Sequence, residues 1–203
     1  MTTTAQNVEM WFDPICPFAW ITSRWLLEAS QVRDIEVTWN IMSLAHLNKD
    51  REMDADHTES FKRSWGAVRL VAAVKEKNGN EGVIALYTAL GNRIHLNKEK
   101  VSDELLIAAL ADAGLPAELI ADSSDESWNE KVIASHDRAI AMVGNDVGTP
   151  VLAIGEAAFF GPVISPAPKG EAAGKLWDGF VLCLQTPEFF ELKRARKRGP
   201  NFA

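Results

Sequence analysis

Cysteine is scarce in this sequence. Only two are present among 203 residues, and Cys16 and Cys183 lie far apart. So small a number argues against a structural disulfide framework and favours a reducing compartment. The sequence also lacks a run of about 18 apolar residues, the length a membrane-spanning helix needs, and its start, MTTTAQNVEM, lacks the pattern of a targeting segment. We therefore expect a cytoplasmic protein without a membrane partner.

Positive charge is also in short supply. The chain has 21 basic and 28 acidic residues, a formal net charge of −7, whereas nucleic-acid binding usually calls for a basic face. We therefore expect no nucleic-acid partner. The local exception is the basic cluster at residues 193–198, interpreted here as cations that complement the dipole at the end of a final helix.

Hydrophobic periodicity predicts a mixed α/β chain. The predicted strands are 7–13, 35–43, 150–154 and 157–160, and the predicted helices are 17–31, 58–77, 81–95, 102–114, 125–143, 168–184 and 186–196. An opening β-α-β unit requires a parallel strand pair, and the closing hairpin extends the same sheet antiparallel. This order predicts a thioredoxin fold with a large all-helical insertion between the second and third strands. We expect residues 1–50 and 144–203 to form the thioredoxin-like domain and 51–143 a helical insertion subdomain.

Cys16 is the principal candidate for chemistry. It follows a predicted strand and precedes Pro17, which fits the first position of a helix. Unpaired backbone N–H groups and the helix dipole stabilise an anion there. We therefore expect a nucleophilic thiolate with a lowered pKa, the alternative being a buried, inert cysteine. Cys183 lies in a late apolar helix and is predicted to be a core residue.

The segment Phe12-Asp13-Pro14-x-Cys16-Pro17 resembles the active site of DsbA-like thioredoxin-fold oxidoreductases. The resemblance spans nearly the whole chain for one branch, the mycothiol-dependent reductases that include a nitroreductase. The stretches that carry it are residues 20–25, 32–37, 42–45, 91–95, 111–118, 146–150, 159–162 and 189–193. The resemblance implies a thiol oxidoreductase that uses mycothiol as its thiol cosubstrate.

One departure from that family concerns the second cysteine. The usual motif is Cys-Pro-Trp-Cys, whereas this chain has Cys16-Pro17-Phe18-Ala19. Without a resolving cysteine, an external thiol must resolve any mixed disulfide. The segment also resembles kappa-class glutathione transferases and hydroxychromene-carboxylate isomerases, in which a serine at the position of Cys16 stabilises a bound glutathione thiolate.

Three functions therefore stay open at this point. The first is a monothiol oxidoreductase that acts on a disulfide or on a small molecule such as a nitro compound. The second is a transferase or isomerase that uses a low-molecular-weight thiol, and the third is a non-catalytic binding protein. The sequence leaves open whether two copies of the chain form a homodimer.

The resemblance also implies residues around the nucleophile. In thioredoxin-like relatives the proline matching Pro150 is cis and faces the cysteine, leaving the backbone of residue 149 free to pair with substrate. Asn48 matches an asparagine near the cleft, with loop capping as the alternative. His46 and His136 are predicted to be packing or surface residues, and the histidine spacing predicts no metal site. The expected substrate-binding residues are Pro17, Phe18, Trp20, Asn48, His57, His95, Thr149 and Pro150. For His95, a helix C-terminal cap is the alternative.

Overall fold

The chain begins with the predicted β-α-β unit. The structure is a computed structural model and describes residues 5–52 and 55–203, without the side chains of 55–57. Strand β1 (Gln6–Phe12) leads into helix α1 (Pro17–Ala29) and then into strand β2 (Ile35–Ile41). The two strands are parallel, with Gln6 opposite Ile35 and Phe12 opposite Ile41.

The last part of the sheet is a hairpin. Strands β3 (Val151–Ile154) and β4 (Ala157–Phe160) pair antiparallel, and Gly155 between them adopts the left-handed φ of 62° that such a turn needs. Strand β3 also pairs antiparallel with β1, which gives the strand order β2-β1-β3-β4. The thioredoxin arrangement predicted from the element order is confirmed.

A large helical segment connects β2 to β3, as predicted. Its longest helix is kinked at Gly79, where φ is 69° and ψ is −165°, so its two halves match the two helices predicted at 58–77 and 81–95. The segment comprises α2 (Leu44–Leu47), α3 (Ala55–Gly91), a π-helical turn (Asn92–Leu96), α4 (Asp103–Asp112), α5 (Ile120–Ser124), α6 (Asn129–Val143) and 3-10 turns at Ala117–Leu119 and Glu126–Trp128. The description of 51–143 as a separate subdomain stays a prediction. Among the described residues, no helix combines the length and apolar character needed to cross a bilayer.

Strand β1 is buried on both faces. Val8, Met10 and Phe12 point into the larger core, while Trp11 packs with residues of β3 and α6 on the other side. Each fully buried side chain of this size stabilises the fold by about 1.5–3 kcal/mol. The end of β1, which leads directly to Cys16, is therefore fixed at the centre of the molecule.

The final helix α7 spans Gly170–Leu184, but the helix predicted at 186–196 is wrong. Beyond Leu184 the described chain has turns, bends and irregular segments only. Residues 191–200 are all exposed, so a helix here would have no apolar face to bury, and its cations would repel one another. Phe189 instead packs on Phe159, with ring centroids 5.8 Å apart.

Candidate functional site

A short turn between β1 and α1 presents Cys16, and buried Asp13 organises it. The Asp13 carboxylate accepts hydrogen bonds from the backbone N–H of Ile15 at 3.0 Å and of Leu44 at 2.7 Å. The Asp13 carbonyl accepts the N–H of Cys16 at 3.0 Å. One side chain therefore joins the turn before Cys16 to the start of α2.

The sulfur of Cys16 caps helix α1. Cys16 is the residue before the first turn, Pro17 occupies the first helical position, and the N–H of Ala19 donates to Sγ at 3.4 Å. The thiol donates in turn to the carbonyl of Thr149 at 3.3 Å. The sulfur is thus held between a helix N-terminus and the loop that precedes β3.

The titration of Cys16 differs from the sequence-based expectation. Burial, with a smaller effect from the Asp13 charge, raises the pKa of the Cys16 thiol to about 11. The N–H groups of Ala19 and Phe18 and the charge of Arg196 act in the opposite direction. The predicted helix-terminus stabilisation is therefore present, but desolvation exceeds it because Cys16 is only 8% exposed.

The loop of Thr149 and Pro150 meets the nucleophile through the Thr149 carbonyl. The peptide bond between Thr149 and Pro150 is cis, and the Thr149 hydroxyl donates to the carbonyl of Trp11 at 3.0 Å. The Pro150 carbonyl accepts the N–H of Gly161 at 2.8 Å. Bonds to β1 and to the segment after β4 therefore fix this loop from both sides.

A cluster of three rings, those of Trp20, Tyr87 and His95, packs next to the Cys16 turn. The Trp20 ring meets Tyr87 edge-on at 5.4 Å and His95 at 6.0 Å. Gly91 makes room for it, because a Cβ there would lie 2.1 Å from a Trp20 ring carbon. The Nε2–H of His95 donates to the Pro14 carbonyl at 2.9 Å, and burial lowers the pKa of His95 to about 4, so the ring is neutral near pH 7.

The C-terminal segment, residues 185–203, packs against one side of this ring cluster and of the Cys16 turn. The Arg196 guanidinium lies over the Phe18 ring, 5.0 Å from its centroid, and Phe202 stacks on His95 at 5.7 Å. Sequence reasoning missed both residues, because it assigned the basic cluster to the end of a helix. No local pattern marks such contacts between segments that are distant in sequence.

A cavity of about 220 Å³ lies between α1 and the C-terminal segment. Trp20, Arg24 and Phe202 are among its lining residues. The Arg24 guanidinium lies over the Trp20 ring at 3.9 Å, and its buried Nη2 has no hydrogen-bond partner in the described part of the chain. Glu28 also lines the cavity, so its charged side chains are of both signs, and Cys16 is not among its lining residues.

The predicted site residues differ in how close they lie to Cys16. Asn48 ends α2, and its side-chain amide donates to the Leu44 carbonyl at 2.8 Å. It therefore caps its own helix, which was the alternative interpretation, and that helix is joined to the Cys16 turn by the bond between Leu44 and Asp13. The side chain of His57 lies outside the described residues. The fold gathers the remaining predicted residues around the turn: Pro17, Phe18, Trp20, His95, Thr149 and Pro150.

The fold also brings together a histidine pair that the spacing did not reveal. Potential ligand atoms of His46, His136 and Asp137 lie within 4.8 Å of one another. However, the N–H of Ser43 points to Nδ1 of His136 at 3.4 Å, so Nε2 carries the ring proton. Nδ1 of His136 accepts this bond and its Nε2 is protonated, so His136 has no free lone pair with which to bind a metal ion. We therefore propose no metal site at this cluster.

Solved structures with the same fold include two thiol oxidoreductases. A probable DsbA oxidoreductase, SCO1869 from Streptomyces coelicolor, superimposes with a TM-score of 0.62 at 19% identity, covering 95% of this chain and 94% of that one. The cytosolic disulfide reductase DsbM from Pseudomonas aeruginosa, solved with GSH, gives a TM-score of 0.59 at 15% identity, covering 87% and 99%. At these identities the likeness shows a DsbA-like thioredoxin fold.

Sequence comparison is more specific. Uncharacterized protein Rv2286c of Mycobacterium tuberculosis (strain ATCC 25618 / H37Rv) is 29% identical over 192 residues, covering 94% of this chain and 82% of that protein. The Rv2466c-like family model, described as mycothiol-dependent nitroreductase Rv2466c, matches residues 15–194. That span includes Cys16 and the cis-proline loop. The chain is therefore an oxidoreductase of DsbA-like thioredoxin fold that belongs to the Rv2466c-like, mycothiol-dependent nitroreductase family.

Proposed function

We propose that this protein is a monothiol oxidoreductase in which Cys16 forms a mixed disulfide with mycothiol. The observation that carries the proposal is the placement of Sγ at the first turn of α1, against the Thr149 carbonyl at 3.3 Å. One turn further along, Ala19 stands where the usual motif has its second cysteine. Every exchange at Cys16 must therefore be completed by a thiol from outside the protein.

Thiol–disulfide exchange in this scheme takes two displacements. The Cys16 thiolate attacks the mycothiol sulfur of a mixed disulfide between a substrate and mycothiol, forms Cys16–S–S–mycothiol and releases the substrate thiolate, which takes up the proton that Cys16 lost. A second mycothiol thiolate then attacks the mixed disulfide, so that Cys16 is regenerated and a mycothiol disulfide leaves. Because the resting Cys16 thiol has its pKa raised by burial to about 11, the small thiolate fraction limits the first displacement near pH 7.

Reduction of a nitro compound needs two electrons for its first step. One Cys16 thiol and one mycothiol thiol supply them, giving a Cys16–mycothiol mixed disulfide, a nitroso compound and one water. A further mycothiol releases Cys16 as above. A nitro compound as the substrate rests on the name of the matching family.

Mycothiol as the thiol partner rests on the name of the matching family. A cytoplasmic location follows within this proposal, because a low-molecular-weight thiol pool keeps proteins reduced there. Both cysteines of the chain are free thiols in the structure.

One observation favours a second candidate, a thiol-dependent transferase or isomerase. The Cys16 thiol is protonated and acts as a hydrogen-bond donor to Thr149. A donor at this position could instead stabilise the thiolate of a bound cofactor, as the serine hydroxyl does in the kappa-class relatives. In that mechanism Cys16 forms no covalent bond during turnover.

A turnover assay with variants tests the proposal. Reduction of a model nitroaromatic by mycothiol should be lost in Cys16→Ser and retained in Cys183→Ser, because only Cys16 lies in the site. A Cys16→Ser variant that keeps most of the activity would contradict the redox role and support the second candidate, since a serine hydroxyl can also donate. Wild-type protein without any mycothiol-dependent turnover would support a binding role instead.

A further inference from the structure

The basic cluster near the C-terminus is the strongest local charge in the sequence. Residues 193–198 contain five cations and no acidic residue, in a chain of formal charge −7. All six residues are exposed. Among the described residues, no carboxylate pairs with Lys193, Arg194, Arg196, Lys197 or Arg198.

Several contacts hold this cluster beside the nucleophile. Before it, Phe189 packs on Phe159. After it, the Gly199 carbonyl accepts a bond from the Ser165 hydroxyl at 3.3 Å, and that hydroxyl accepts the N–H of Asn201 at 2.8 Å. Phe202 then stacks on His95. The cations are therefore carried by a segment that is anchored both before and after the cluster.

Arg196 is the member of the cluster that reaches the site. Its guanidinium lies over the ring of Phe18, two positions after Cys16, at 5.0 Å. Its positive charge lowers the pKa of the Cys16 thiol, against the larger effect of burial. A cation over an aromatic ring keeps its N–H groups free for an anion, and a charge at the mouth of a reactive site attracts ligands of opposite sign.

We propose that Arg196 is a specificity-determining residue that recognises a negatively charged group on the substrate attacked by Cys16. The substrate class is an anionic disulfide or electrophile, with a carboxylate or a similar anion next to its reacting atom. This inference rests on the proposed function of Cys16 and names the charge of its second substrate.

Alkylation of Cys16 by two reagents that differ mainly in charge tests the proposal. Iodoacetate is an anion and iodoacetamide is neutral. Both react with the thiolate, so the ratio of their rate constants cancels any change in the Cys16 pKa. The measurement uses full-length protein carrying Cys183→Ser, so that Cys16 is the only thiol, at a pH near 9 where the thiolate fraction is sufficient.

The ratio of the iodoacetate rate to the iodoacetamide rate should fall roughly threefold in Arg196→Gln, as expected for loss of one nearby exposed charge. Arg196→Lys should retain most of the wild-type ratio, and added salt should reduce the ratio measured for the wild type. Lys175→Gln removes one positive charge from an exposed position of α7 and should leave the ratio unaltered.

An unchanged ratio in Arg196→Gln would overturn the proposal, and so would an equal fall in Lys175→Gln, which would indicate net charge alone. Failure of either reagent to reach Cys16 would overturn it as well, because no anion could then approach the sulfur. None of these measurements needs catalysis. A ratio that depends on Arg196 in a protein without mycothiol turnover would therefore contradict the proposed function only.

Discussion

The thiol of Cys16 donates a hydrogen bond to the carbonyl oxygen of Thr149 at 3.3 Å, although 133 positions separate the two residues. The bond requires a protonated sulfur, because a thiolate has no proton to donate to a carbonyl. Its presence agrees with a Cys16 pKa raised by burial to about 11. The resting protein thus holds its nucleophile in an inactive protonation state.

Asp13→Asn should lower the pKa of the Cys16 thiol. Burial is the main cause of the raised value, and the negative charge of Asp13 adds to it. Removing that charge should therefore increase the thiolate fraction at any pH below the pKa. The ultraviolet absorbance of the thiolate, followed against pH in a Cys183→Ser background, measures this change. Asp146→Asn, in an exposed loop, is the control, and equal titration curves for Asp13→Asn and the parent would contradict the account.

His95→Gln should reduce the loss of stability at acid pH. Burial lowers the pKa of His95 from 6.5 to about 4, so the unfolded chain binds the proton more readily. The stability due to the neutral ring is complete above pH 6.5 and is lost as the pH falls towards 4, by about 3 kcal/mol in total. Urea unfolding at pH 7 and at pH 4.5 should show a smaller difference in His95→Gln than in wild type. Equal differences would show that His95 does not titrate in this way.

Gly91→Ala should destabilise the protein, because the new Cβ would lie 2.1 Å from the Trp20 ring. Forcing an extra methyl group into a packed core costs about 1–3 kcal/mol. Gly179→Ala on α7 is the matched control, since nothing lies within 4 Å of its Cβ and alanine is the better helix former. Chemical unfolding of both variants measures the two effects. Similar stabilities would mean that Trp20 moves aside without cost.

Much of the fold was predictable because its signals are local. Pro17 after Cys16 and the Gly155 turn each act within a few residues, and the structure has both. Contacts that depend on distant segments were not predictable in the same way. The position of Arg196 over Phe18 depends on packing of the chain's end near its beginning, and the helix predicted at 186–196 is absent because its exposed residues leave no apolar face to bury.

The candidate site shows the same division. The cis bond before Pro150 was expected from the resemblance and is present. The Cys16 pKa was predicted in the wrong direction, because sequence indicates a helix N-terminus but not how deeply it is buried. The bond between Leu44 and Asp13 likewise depends on α2 lying beside β1, which the pattern of residues does not encode.

Ala19→Cys should restore dithiol chemistry. The N–H of Ala19 already donates to the sulfur of Cys16 at 3.4 Å, so a thiol at this position would lie one turn from it. It should attack a Cys16–mycothiol disulfide within the molecule and shorten its lifetime by about tenfold or more. A mass-spectrometric time course of the adduct measures this, with Ala19→Ser as control. A wild-type adduct that disappears as quickly as that of Ala19→Cys would show that the missing cysteine does not limit exchange.

The most direct test of the central claim is the intact mass of the protein after incubation with oxidised mycothiol. The account predicts one added mycothiol that is removed by a reducing agent, present in wild type and in Cys183→Ser and absent in Cys16→Ser. Protein that gains no mycothiol, or gains it at Cys183 instead, would contradict a covalent role for Cys16.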